Sequence, residues 1–192
     1  MKKSRIIWLV TMASLALAYG LASSFPSAAG YHTDPGRTCD CVCHGIATLE
    51  GYGPVEANGR VSAQWVANSD ADDPNIWSEV VVVGFNNTQT NPELGTLTWT
   101  LDNTREYASS IQSDQPGNIF PATATLGWYA NMELNGVQYR TIQPIEMQAT
   151  ITGWPNNNTV YQQVGAVDLE RVDSPGEIAF TLSGMETQVT QQ

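Results

Sequence analysis

The stretch TCDCVCHG, residues 38–45, holds all three cysteines of a 192-residue chain and one of its two histidines, His44. The other histidine, His32, lies a short way upstream. Thiols and imidazoles packed this closely can do several kinds of chemistry. Two thiols can pair as a disulfide when their Cα atoms come within about 7 Å. Cys39 with Cys41, or Cys39 with Cys43, meets that condition locally, and the odd thiol left over points to pairing between chains. The expectation for Cys39, Cys41 and Cys43 is therefore a disulfide staple or an inter-subunit clasp. Zinc or an iron–sulfur centre is the alternative for three thiolates and an imidazole. The Cys-x-Cys-x-Cys spacing is tight for it, because paired zinc ligands usually sit about two to four residues apart.

A second alternative is haem. Attachment of c-type haem uses Cys-x-x-Cys-His, with two thiols bonded to the vinyl groups and the histidine on iron. Cys43-His44 followed by Gly45 resembles the end of that motif. The first cysteine is displaced, since Cys41 leaves one residue between and Cys39 leaves three. A haem here would use Cys39, Cys43 and His44, with His32 as the second axial ligand. A copper reading depends on processing. Cutting after Ala29 would free Gly30-Tyr31-His32, whose amine, amides and imidazole suit Cu(II) in a square plane.

The second constellation is acidic. Asn68, Asp70, Asp72 and Glu79 occupy the first, third, fifth and twelfth positions of a calcium-loop pattern. The sixth position is Asp73 rather than Gly, and strands rather than helices flank it. An EF-hand is excluded, and a calcium site in a β-loop remains as a candidate. Asn86-Asn87-Thr88 and Asn157-Asn158-Thr159 are glycosylation sequons at expected turns, with Asn86 and Asn157 as the acceptors. Both histidines lie within residues 30–58, so the chain beyond them has none for a Ser-His-Asp triad. There is also no phosphate loop and no nucleophile elbow. The chain reads as a non-enzyme.

The first residues, MKKSRIIWLVTMASLALAYGLA, have a basic start, an apolar middle and small residues after it. That is the layout of a secretory signal, cut after Ala22 or Ala29. Losing Lys2, Lys3 and Arg5 takes the net charge from −11 to −14 and leaves no lysine. Such a surface repels phosphate backbones and anionic lipid, which excludes nucleic acid and electrostatic membrane binding. The expected address is extracellular, the cell surface or the periplasm, where disulfides persist.

These side chains must be positioned by β structure. TLTWTL places Leu97, Trp99 and Leu101 on one face, and ATLGWYANMEL does the same for Leu126, Trp128, Ala130 and Met132. Asn135-Gly136 then supplies the preferred pair for a two-residue hairpin turn. PIEMQATI is a further alternating strand. The run Val80–Val83 is apolar throughout and reads as a strand buried on both sides. EYASSIQS reads as a short helical turn. About eight strands separated by Gly, Pro, Asn and Asp turns predict an all-β antiparallel sandwich, immunoglobulin-like or jelly-roll. The expected organisation is a signal peptide over 1–29, a Cys/Gly-rich arm over 30–58 and the sandwich over 59–192.

The leading function is a secreted or cell-surface, non-enzymatic structural or adhesive protein. It would self-associate, or join other surface proteins in an assembly, through its cysteines. A mono-haem electron carrier is the alternative, and a carbohydrate- or calcium-binding module a further one.

Overall fold

A computed structural model describes residues 36, 38–68, 77–115, 118–153 and 158–191, and all of these lie in one compact unit. The signal segment, His32, Asp70, Asp72, Trp154 and Asn157 fall outside the described residues, and Asn68 is described in its backbone only. The fold is all-β and antiparallel, with no helix among the described residues. No helix there is long and apolar enough to cross a membrane.

Thirteen strands form among the described residues, rather than about eight. They are β1 (Thr38–Leu49), β2 (Gly53–Glu56), β3 (Gly59–Asn68), β4 (Trp77–Asn91), β5 (Gly95–Leu101), β6 (Ser109–Gln115), β7 (Asn118–Trp128), β8 (Ala130–Leu134), β9 (Val137–Thr141), β10 (Ile145–Ile151), β11 (Thr159–Gln163), β12 (Val167–Arg171) and β13 (Ser174–Gln191). The larger number arises because long strands are interrupted. β4 pairs with β6 through Trp77–Val80 and with β5 through Asn86–Asn91, along one edge. β13 likewise pairs first with β12 and then with β11. So β5 with β6, β8 with β7, β9 with β10, and β12 with β11 act as single long strands, each broken once. β1 closes the ring by pairing with β13 on one edge and with β3 and β2 on the other. Two faces thus pack across one core as in a sandwich, while hydrogen bonding joins them at both sides.

Alternation drives this arrangement. Leu97, Trp99, Leu126, Trp128, Ala130 and Met132 are all buried, as are Ile145, Met147, Ala149 and Ile151. The face holds its phase across the break at Tyr129, so β7 and β8 share one buried row. Asn135 and Gly136 both take positive φ, 51° and 82°, in the turn from β8 to β9.

Several expectations need correction. Residues 38–56, read as an arm, contribute β1 and β2 to the sheet. Glycine count suggested a loop there, but the period-two row Cys39, Cys43, Ala47 and Leu49 is buried. The valine run is not buried on both sides. Val80 and Val82 face the core and Val83 is exposed, because a closed sheet has only one dry face. EYASSIQS is no helical turn: Ser109–Gln115 is strand β6, held between β4 and β7. Asn86 lies within β4, not in a turn, although its side chain is exposed.

Candidate functional site: an apolar interior with unpaired polar atoms

β1 sends Cys39, Cys41 and Cys43 inward, because residues two apart share a face of a strand. Cys39 and Cys43 are buried and Cys41 is half-buried. His44 leaves the opposite face and is exposed. The structure therefore brings the three sulfurs together and separates them from His44. One haem cannot take a thioether from Cys43 inside the wall and an imidazole from His44 outside it. No cluster of three or more His, Cys, Asp or Glu suited to a metal forms among the described residues. Inward-facing thiols are also poorly placed to clasp a second chain. Of the calcium candidates, Glu79 is half-buried in β4, where it pairs with Ala67 and Ser110.

The Cys39 and Cys41 sulfurs lie 3.4 Å apart. A hydrogen bond with Cys39 is the main cause that pushes the Cys41 thiol well above its ordinary value, with burial adding to it. Burial pushes the Cys43 thiol up to about 11, and the neighbouring Thr187 hydroxyl offsets this only in part. Tyr161, one of the largest fully buried side chains, is raised chiefly by burial and then by the nearby sulfurs.

These groups border two apolar cavities that share Cys43, Val61, Trp128 and Thr187 as walls. Each is narrow, with a volume of about 30 Å³, room for one or two waters, so a larger guest has to spread these walls. The first extends toward Val55, Phe85 and Trp99, and the second toward Leu126, Met147 and Tyr161. Trp128 stands at the end of β7, in register with Ile145 of β10, and its ring meets Phe85 at 5.2 Å between centroids. Two polar atoms in these walls are buried and make no hydrogen bond of normal geometry: Trp128 Nε1 and Thr187 Oγ1. A buried donor left unpaired costs about 1–3 kcal/mol, so each such atom calls for a physical reason.

Trp128 also borders a third, more polar cleft formed with the β5–β6 loop. There Arg105 Nε donates to Asp102 Oδ2 at 2.8 Å, and the guanidinium lies 4.1 Å from the Tyr129 ring centroid. Burial opposes ionisation of Asp102, but hydrogen bonds from Thr104 and Arg105 outweigh it and hold the carboxyl below its usual range. Tyr107 Oη donates to Glu146 Oε1 at 2.6 Å, and this bond raises the phenol to about 12. The Tyr107 ring packs directly on Gly127, where a Cβ would collide with it.

Thr187 has no counterpart among the residues that the sequence pattern singles out. The polar stretch from Glu186 to Gln191 hides its strand, and the readable signal is the row Met185, Thr187, Val189 at period two.

No protein-family model matches the sequence, and no curated protein matches it. The fold is similar to that of DynF from the dynemicin biosynthesis pathway of Micromonospora chersina. The TM-score is 0.67 at 14% identity, over 82% of this chain and 81% of that one. At that identity the likeness shows the fold alone.

Proposed function

We propose that the chain is an exported, non-enzymatic binding protein. Its interior takes up a small, mostly apolar molecule that carries a hydrogen-bond acceptor. The observation that carries this reading is Trp128 Nε1, a buried donor without a partner in the wall shared by both cavities. An apolar cavity with a few convergent polar groups is what small-ligand sites have in common. A closed sheet of about eight long strands has an interior that side chains fill or that holds one small ligand, and here a ligand enters by displacing the side chains around the two narrow cavities. The ring of Trp128 and the side chains of Met147 and Phe85 would supply area, and the indole N–H would fix orientation. Export rests on the N-terminal layout, and the acidic, lysine-free mature surface suits solubility outside the cell.

The test is titration of the reduced full-length mature protein with prodan, a neutral naphthyl ketone whose emission reports polarity. Binding should shift prodan to the blue and quench tryptophan emission. Trp128→Phe keeps an aromatic ring and removes the donor. It should weaken prodan at least about fivefold, in line with one lost hydrogen bond, and leave a hydrocarbon such as naphthalene unaffected. Equal weakening of both compounds, or no binding of either, would sink the reading.

A further inference from the structure

We propose that Cys39 and Cys41 form a dithiol site at the edge of the second cavity that closes reversibly into a disulfide within one strand. The reactant class is a small disulfide oxidant, of which oxidised glutathione is the simplest probe.

Three observations converge on this pair. The two sulfurs are already 3.4 Å apart on one face of β1. Cys41 is half-buried, so a reagent can reach one sulfur of the pair, whereas Cys39 and Cys43 are buried at 7% and 6% exposure. Cys41 also lines the second cavity, next to Cys43 and Tyr161, so a change at this sulfur is felt in that wall.

Strand geometry sets the character of the bond. Residues i and i+2 of an extended strand stand about 6.6–6.8 Å apart at Cα. Disulfides span about 4.4–6.8 Å, so the pair sits at the long end of the permitted range. Closing it requires β1 to contract locally between its partners β3 and β13. A bond made under such tension is labile, which suits reversible chemistry rather than a permanent staple.

The step balances as thiol–disulfide exchange. One of the two thiols loses its proton and attacks a sulfur of oxidised glutathione, expelling one glutathione thiolate, which takes up a proton. The second thiol then loses its proton and displaces the other glutathione. Cys39 and Cys41 are oxidised by two electrons, and one glutathione disulfide becomes two glutathione thiols. Closure draws the Cys41 sulfur along the strand away from Cys43, and so moves a wall of the second cavity.

The experiment equilibrates the full-length mature protein with a glutathione redox buffer, then quenches it with acid. Protease that cuts before Asp40 severs the chain between the two cysteines, so the fragments stay joined only through a disulfide. The expected result is a loss of two hydrogens, fragments that separate on reduction, and the same linkage in Cys43→Ser but not in Cys41→Ser. Linkage that survives in Cys41→Ser assigns the bond to Cys43 and overturns the proposal. So does a doubled mass that collapses on reduction, or no mass change at any buffer ratio. Prodan affinity should differ at least about twofold between the two redox states, and identical affinity overturns the link to the cavity. Failure of prodan to bind at all concerns the interior reading alone, because the fragment linkage is read without a ligand.

Discussion

Cys43 and His44, neighbours in the chain, leave β1 on opposite faces of the wall, one buried and the other exposed. This separation decides what the patch can do. His44→Ala should leave the melting temperature within about the error of a surface change, roughly ±0.5 kcal/mol, and leave prodan binding unchanged. Cys43→Ala removes a buried sulfur and should cost about 1–2 kcal/mol, near the low end for shortening a core side chain. Thermal melts of the two variants, side by side, check it. Equal losses would contradict the inward phase of Cys43 and the outward phase of His44.

Gly45, the last residue of the same patch, makes a different prediction. A Cβ there would collide with the backbone of Glu186 and Thr187 in β13. Backbone cannot rotate away as a side chain can, so Gly45→Ala should destabilise by about 2 kcal/mol or more, the range of overpacking in a tight core. Gly153→Ala is the control, because nothing lies within 4 Å of its added methyl and its φ is not positive. Urea unfolding of both variants would read the difference.

How far these features can be read from residues alone follows from the physics of each. The period-two rows of β5, β7, β8 and β10 are legible because one face of each is uniformly apolar. The turn at Asn135-Gly136 is legible because few residues accept positive φ. β1 reads as part of an arm because the glycines and prolines of residues 30–58 outweigh its alternation, although Cys39, Cys43, Ala47 and Leu49 keep a strict phase. The end of β13 is hidden by polar residues, since a strand that holds one wet face can be mostly Thr, Gln and Glu. The cavity itself is beyond reach. It depends on ring closure through the β1–β13 pairing, which joins residues near the two ends of the described chain.

Acid should weaken the fold through Asp102. Its folded pKa is depressed, since the bonds from Thr104 and Arg105 favour the carboxylate despite its burial. A depressed carboxyl stabilises the native state fully above its unfolded value, near pH 4. That contribution is lost as pH falls through the folded value. The melting temperature should therefore drop steeply below about pH 4. Asp102→Asn should flatten that drop while lowering stability at pH 7. Melting curves from pH 7 to pH 2.5 test both signs.

Tyr107 gives a spectroscopic counterpart. Its phenol is held near 12 because it donates to the Glu146 carboxylate, with burial adding to the shift. In an absorbance titration at high pH, Glu146→Gln should bring one tyrosine back toward the ordinary range near 10. Tyr107→Phe should delete that same late transition. A Glu146→Gln titration identical to wild type would mean the 2.6 Å bond is not made in solution.

Thr187→Val separates stability from binding within one side chain. The hydroxyl oxygen of Thr187 is buried without a hydrogen bond of normal geometry, in a wall that is otherwise largely apolar. Valine has nearly the same shape and no polar atom, so the desolvation cost of a buried hydroxyl with only the Cys43 thiol beside it disappears. The unliganded variant should be more stable by about 1 kcal/mol. If the hydroxyl instead serves a ligand, the same variant should bind prodan more weakly. A structural role predicts that stability and affinity fall together, whereas a binding role predicts that they move in opposite directions. Melting temperature and prodan affinity, measured on one preparation, distinguish the two. A variant that is less stable and binds equally well would remove Thr187 from the site and leave Trp128 as its polar anchor.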